Sequence, residues 1–229
     1  MRDFDSSFAR QRVEFAASHA VIGIDQRGHG RSRDDGRPFS YQEMAEDTAA
    51  VIRQLGLGPV DVVGHCDGGN VGLKLARSHP ELVRRLVVSG ANLRPALAAD
   101  ELQRRLAWSP QQLAAFLPRF EKQLPPSFRP DCDAVTPEGA AHWPVFLAKS
   151  YRLWLTPVVL DAADLKAIQA PVLVVAGDRD FASLESTAEL YRGLAKAQLF
   201  IVPGAGHGTF SGRPALVNLT IQQFLDSPP

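Results

Sequence analysis

The 229 residues carry 25 Lys plus Arg against 25 Asp plus Glu, so the formal net charge is zero, and 45% are hydrophobic. That length suits one α/β domain with a small insertion, and the balanced charge argues against nucleic acid or an acidic membrane surface as the main partner. Cys66 and Cys132 are too few for a disulfide framework and read as reduced thiols of a cytoplasmic protein, with no run of membrane-spanning length and no secretory signal in the opening stretch.

In chain order, Phe4, Phe8 and Phe15 recur near helical spacing and predict an amphipathic opening helix. AVIGID, residues 20–25, predicts a short buried strand, and a loop rich in Gly and charge, QRGHGRSRDDGRP, follows it. Ser40 and Glu43 have capping-box spacing for a helix reaching about Leu55. VDVVG is the next strand, followed by a turn and a helix that stops at Pro80. RRLVVSG is a third strand. From about Leu93 to Ile168 there is no strand signal, only helical patterns broken by prolines. APVLVVAGD is a fourth strand, 185–195 a helix, AQLFIVPG a fifth strand and 213–226 a final helix. The alternation predicts an α/β fold with a mostly parallel, doubly wound sheet. Residues 1–92 and 169–229 would form the core, and 93–168 a helical lid over one end of the sheet, where ligands bind such folds. A purely structural helical excursion is the alternative.

The chemistry concentrates in VDVVGHCDGGNVGL. Gly64-His65-Cys66-Asp67-Gly68 fits G-x-nucleophile-x-G, a strained strand-to-helix turn in which side chains at 64 and 68 would meet neighbouring backbone. Such a turn exposes the Cys66 sulfur and aims the Asp67 N–H at a developing oxyanion. PGAGHGTF supplies His207 as proton acceptor, and VLVVAGDRDF supplies Asp178 and Asp180 as candidates to orient it. All three groups follow strands, at the same edge of the predicted sheet. His65 reads as packing or pocket lining and His29 as structural. His19, His79 and His142 do not cluster with Cys or carboxylates at ligand spacing, so neither a metal nor a cofactor is expected.

These pieces resemble the α/β-hydrolase superfamily, in particular a branch whose nucleophile turn reads Gly-x-Ser-Asp-Gly-Gly. GHCDGGNVGL and VSGANLRP carry the resemblance, DQRGHGRS is similar to the family's loop after its fourth strand, and the likeness runs from about residue 4 onward. The resemblance implies a Cys66–His207–Asp180 triad, with Asp180 preferred to Asp178 because the family's acid stands three residues after the Gly ending its strand. Cysteine in place of serine, as in dienelactone hydrolases, suits a small activated ester, lactone or thioester better than an amide, because the tetrahedral intermediate expels sulfur more easily than an amine. A degenerate, non-catalytic ligand-binding protein on the same scaffold is the alternative.

The family also begins with further strands, the third ending in a His-Gly loop that supplies a second oxyanion donor, and no HG precedes AVIGID here. Three explanations stand open. The true start lies upstream, the strands at 20–25 and 60–64 pair directly, or a partner chain fills the place. The chain as a fragment of a larger enzyme is a further possibility. With one donor lost, turnover would fall by about 10²–10³-fold. An open sheet edge would also invite a homodimer.

Overall fold

A computed structural model describes residues 3–95, 97–158 and 160–228. They form two compact units, one of Arg10–His19, Tyr41–Arg94 and Val158–Pro229, the other of Met1–Ala9, Ala20–Ser40 and Pro95–Pro157.

The first unit is built on four parallel strands in the order β1-β2-β3-β4, with β1 Val60–His65, β2 Val83–Ser89, β3 Val172–Gly177 and β4 Ala197–Val202. β3 is buried along its whole length and β2 at every position but Arg84, as expected for β-branched runs covered on both faces. The edge strands β1 and β4 are less buried. His65 lies opposite Ser89, Ser89 opposite Val175, and Gly177 opposite Val202, so the carboxyl ends of all four strands fall close together.

The longer helices of this unit are α1 Tyr41–Gln54, α2 Asp67–Ser78, α3 Leu184–Gly193 and α4 Pro214–Asp226. α1 buries Met44, Ala45, Thr48, Ala49 and Ile52, a stripe at three- and four-residue spacing, and packs on α2. α2 lies tight against β2: a Cβ on Gly72 would stand 2.8 Å from Cδ1 of Leu86. α4 opens on Pro214, which needs no N–H acceptor at a helix start, and buries Val217, Ile221, Phe224 and Leu225.

In the other unit the described residues contain helices and loops only. Its longer helices are Ala99–Leu106, Pro110–Glu121 and Trp143–Trp154. Two of the prolines expected to break helices instead lie in first turns: Pro110 follows the capping box of Ser109 and Gln112, and Pro144 is the second residue of its helix. Pro118 sits inside a helix. The buried Asp34 carboxylate ties the 20–40 loop to the later helices, through Lys149 Nζ at 2.6 Å and His142 Nε2 at 3.0 Å. His29 is buried with its ring centroid 5.0 Å from those of Phe39 and Phe146, the structural place its sequence context suggested.

Two expectations fail here. Residues 20–25 form no strand, and Val21 and Ile22 are exposed. An apolar run becomes a strand only beside another edge to bond, and no strand is assigned among the described residues of that unit. Side chains hold the segment instead. Asp25 accepts from the Phe4 N–H at 2.6 Å and from Arg31 Nε at 2.9 Å, and Phe4 lies against Gly23. Direct pairing of 20–25 with β1 is therefore absent among the described residues. The single opening helix is also broken, at Phe8, into Phe4–Ser7 and Ala9–Phe15.

Leu86 is fully buried in β2 under α2. Leu86→Ala is expected to lower stability by about 2–5 kcal/mol, read from the midpoint of a urea unfolding curve.

Candidate active site

Cys66 sits between β1 and α2 at φ 54°, the one positive φ outside glycine among the described residues. The strain is held by close packing: a Cβ on Gly64 would lie 2.2 Å from the Gly68 carbonyl oxygen, and the Cys66 N–H donates to the Ser89 carbonyl at 2.8 Å. Gly68 itself faces open space, so the expected steric demand at that position is corrected. What Gly64 must clear is the backbone of residue 68, and any residue supplies a backbone. Asp67 is the first residue of α2, where amide N–H groups lie beyond the reach of the helix's own carbonyls.

Asp180 and His207 follow β3 and β4. The His207 Nδ1–H donates to the fully buried Asp180 carboxylate, 3.0 Å from Oδ1 and 3.2 Å from Oδ2, and the Ala182 N–H donates to the same Oδ1 at 3.1 Å. Asp178 is exposed, leaving Asp180 as the carboxylate on His207. Burial works against the imidazolium, but Asp180 and the adjacent Cys66 outweigh it, and His207 is pushed up to about 10. Burial likewise opposes the Asp180 charge, yet the bond from His207 holds that carboxyl below its usual range. His207 Nε2, the ring nitrogen away from Asp180, is buried with no hydrogen-bond partner among the described residues.

Several residues that hold this arrangement, His65 excepted, carried no expected role. Gly90, just past β2 at φ 61°, lies against the imidazole; a Cβ there would stand 2.7 Å from Cε1 and 2.9 Å from Nδ1 of His207. The buried hydroxyls of Ser89 and Thr209 are bonded at 2.7 Å, tying the end of β2 to the segment after His207. Tyr41 Oη donates to Asp67 Oδ1 at 2.7 Å and fixes the side chain beside the nucleophile turn. His65 packs at a tilt on His207 at 4.8 Å and on Phe210 at 5.4 Å, and burial, with the neighbouring His207 charge, brings it down to about 4. Phe181 packs on His207 with ring centroids 4.3 Å apart and the rings tilted. The VSGAN signature was the one available pointer to Gly90; the others are non-local contacts with no local pattern. Cys132 lies in the other unit, where burial pushes its thiol up to about 11.

Gly90→Ala is expected to displace the imidazole and cost about 1–3 kcal/mol, with the NMR titration of His207 falling below that of the parent. Because the folded value of His207, about 10, exceeds the unfolded value of roughly 6.5, its stabilisation is full below about pH 6.5 and is lost as pH rises through 10. Melting temperature should therefore fall between pH 7 and 10, and fall less in Asp180→Asn.

Residues 3–218 match the Alpha/beta hydrolase family. The AB hydrolase superfamily protein YisY of Bacillus subtilis is 28% identical over 229 aligned residues, covering 90% of this chain and 81% of that protein. The 2-(acetamidomethylene)succinate hydrolase of Mesorhizobium japonicum is 26% identical over 234 aligned residues, 94% of this chain and 81% of that one. The solved structure of the esterase EaEST from Exiguobacterium antarcticum aligns with a TM-score of 0.76 at 21% identity, covering 98% of this chain and 88% of that one. With the parallel sheet and the turn at Cys66 already described, a match over that span means that the chain belongs to the alpha/beta hydrolase family.

Proposed function

We propose that this α/β-hydrolase cleaves small activated esters, lactones or thioesters, or transfers their acyl group, with Cys66 as nucleophile, His207 as proton carrier and Asp180 as its orienting acid. The observation that carries the reading is the His207–Asp180 hydrogen bond at 3.0 Å, with Cys66 near enough to raise the imidazole's proton affinity.

The Cys66 sulfur attacks the carbonyl carbon, and the Asp67 N–H at the start of α2 stabilises the oxyanion. Collapse breaks the bond to the leaving oxygen or sulfur, which takes the proton from His207 Nε2, leaving a thioester on Cys66. Acylation removes the sulfur's charge, one of the causes that keep His207 protonated. The imidazole, neutral once it has protonated the leaving group, is then less readily protonated again and serves as the base that takes a proton from incoming water. Attack by that water releases the acid and restores the thiol. Asp180 holds the tautomer throughout. Free thiols at Cys66 and Cys132 suit a reducing, cytoplasmic setting, and among the described residues no helix is long and apolar enough to cross a membrane.

With phenyl acetate and a phenyl thioester as substrates, Cys66→Ala is expected to abolish turnover, and His207→Ala to lower it by about 10²–10⁴-fold. Unchanged turnover in Cys66→Ala, or saturable ligand binding with neither adduct nor turnover, overturns the reading. The change in His207 on acylation also sets a pH signature. Below the acyl-enzyme's imidazole midpoint deacylation is slow, so a burst of released phenol should be large near pH 6 and shrink toward pH 9 in stopped-flow measurements.

A further inference from the structure

We propose that Phe181 determines leaving-group specificity, its ring forming an aromatic ledge beside His207 that favours flat, aromatic leaving groups; this rests on the acyl-transfer reading above. Phe181 follows Asp180 directly and is 62% exposed, although the loop around it is firmly tied. The Asp178 N–H donates to the Val202 carbonyl, the Arg179 N–H to the Ala205 carbonyl and the Ala182 N–H to Asp180, while Ser183 caps α3. Ala182 is buried, so the ring is projected outward from a fixed backbone rather than carried on a loose one. Leu184, also exposed, stands three residues on.

The Phe181 ring centroid is 4.3 Å from that of His207 at an interplanar angle of 37°. The imidazole's other aromatic neighbour, His65, is backed by Phe210, and Gly90 lies against its Cε1 and Nδ1. Of these neighbours Phe181 is the one with a large open surface. The leaving group accepts its proton from His207 Nε2, so it must come within about 3 Å of that atom. A planar group placed there lies within stacking range of a ring only 4.3 Å from the imidazole centre. An aryl ester or aryl thioester gains that contact as its C–O or C–S bond breaks and the phenol or thiophenol departs with the His207 proton; an alkyl ester of the same acid gains less.

The test compares kcat/KM for phenyl acetate with that for 2,2,2-trifluoroethyl acetate in the wild type, Phe181→Ala, Phe181→Leu and Phe181→Tyr. Intrinsic leaving-group reactivity cancels when the aryl-to-alkyl ratio is compared between proteins. That ratio is expected to fall about tenfold in Phe181→Ala, to fall also in Phe181→Leu, which keeps the bulk without the ring, and to recover in Phe181→Tyr. Equal losses on both esters, or an unchanged ratio alongside Cys66-dependent turnover, overturn the inference alone. A wild type without Cys66-dependent turnover of either ester overturns the acyl-transfer reading and the inference together.

Discussion

The site depends on one close approach, the His207 imidazole resting against the bare Cα of Gly90. The register of β2 beside β3 carries residue 90 to that place. The same turn of chain holds Cys66, because the Ser89 carbonyl accepts the Cys66 N–H and the Ser89 hydroxyl bonds Thr209. Two adjacent residues at the end of one central strand thus position the sulfur on one side and the histidine on the other. A methyl group at 90 would enter the volume of the ring, and φ 61° disfavours any side chain there in addition.

Electrostatics act within this packing. Asp180 is fully buried and charged, a costly arrangement unless its oxygens are bonded, and His207 and the Ala182 N–H bond them. The imidazolium is favoured by Asp180 on one side and by the neighbouring Cys66, against the cost of burial. His65 responds oppositely: buried beside a positive ring, it stays neutral and serves as packing. Two histidines whose rings are 4.8 Å apart therefore titrate far apart, for reasons set by their neighbours.

Much of this was legible in the chain. Four strands of the parallel sheet announced themselves as β-branched runs, and the resemblance to the α/β-hydrolase family, counted from Gly177, implied Asp180 over Asp178. AVIGID misled because composition reports fitness for a strand and says nothing about a partner edge. Gly68 misled because a glycine on each side of a tight turn suggests two steric demands where the geometry imposes one. Tyr41, Ser89 with Thr209, and Phe181 were illegible for a different reason: each acts through a residue distant in sequence or through a face that only the folded backbone defines.

The parallel ladder has a temporal consequence. Residue 66 comes early in the chain, whereas its acid and its imidazole arrive at 180 and 207, on the loops after β3 and β4. A nascent chain holding only its first half therefore exposes the sulfur with neither partner made. Contacts of such long sequence separation form late in folding. On the reading proposed above, the sulfur thus meets its acid and imidazole only once the last strand has docked, and an incomplete chain holds Cys66 without either of them.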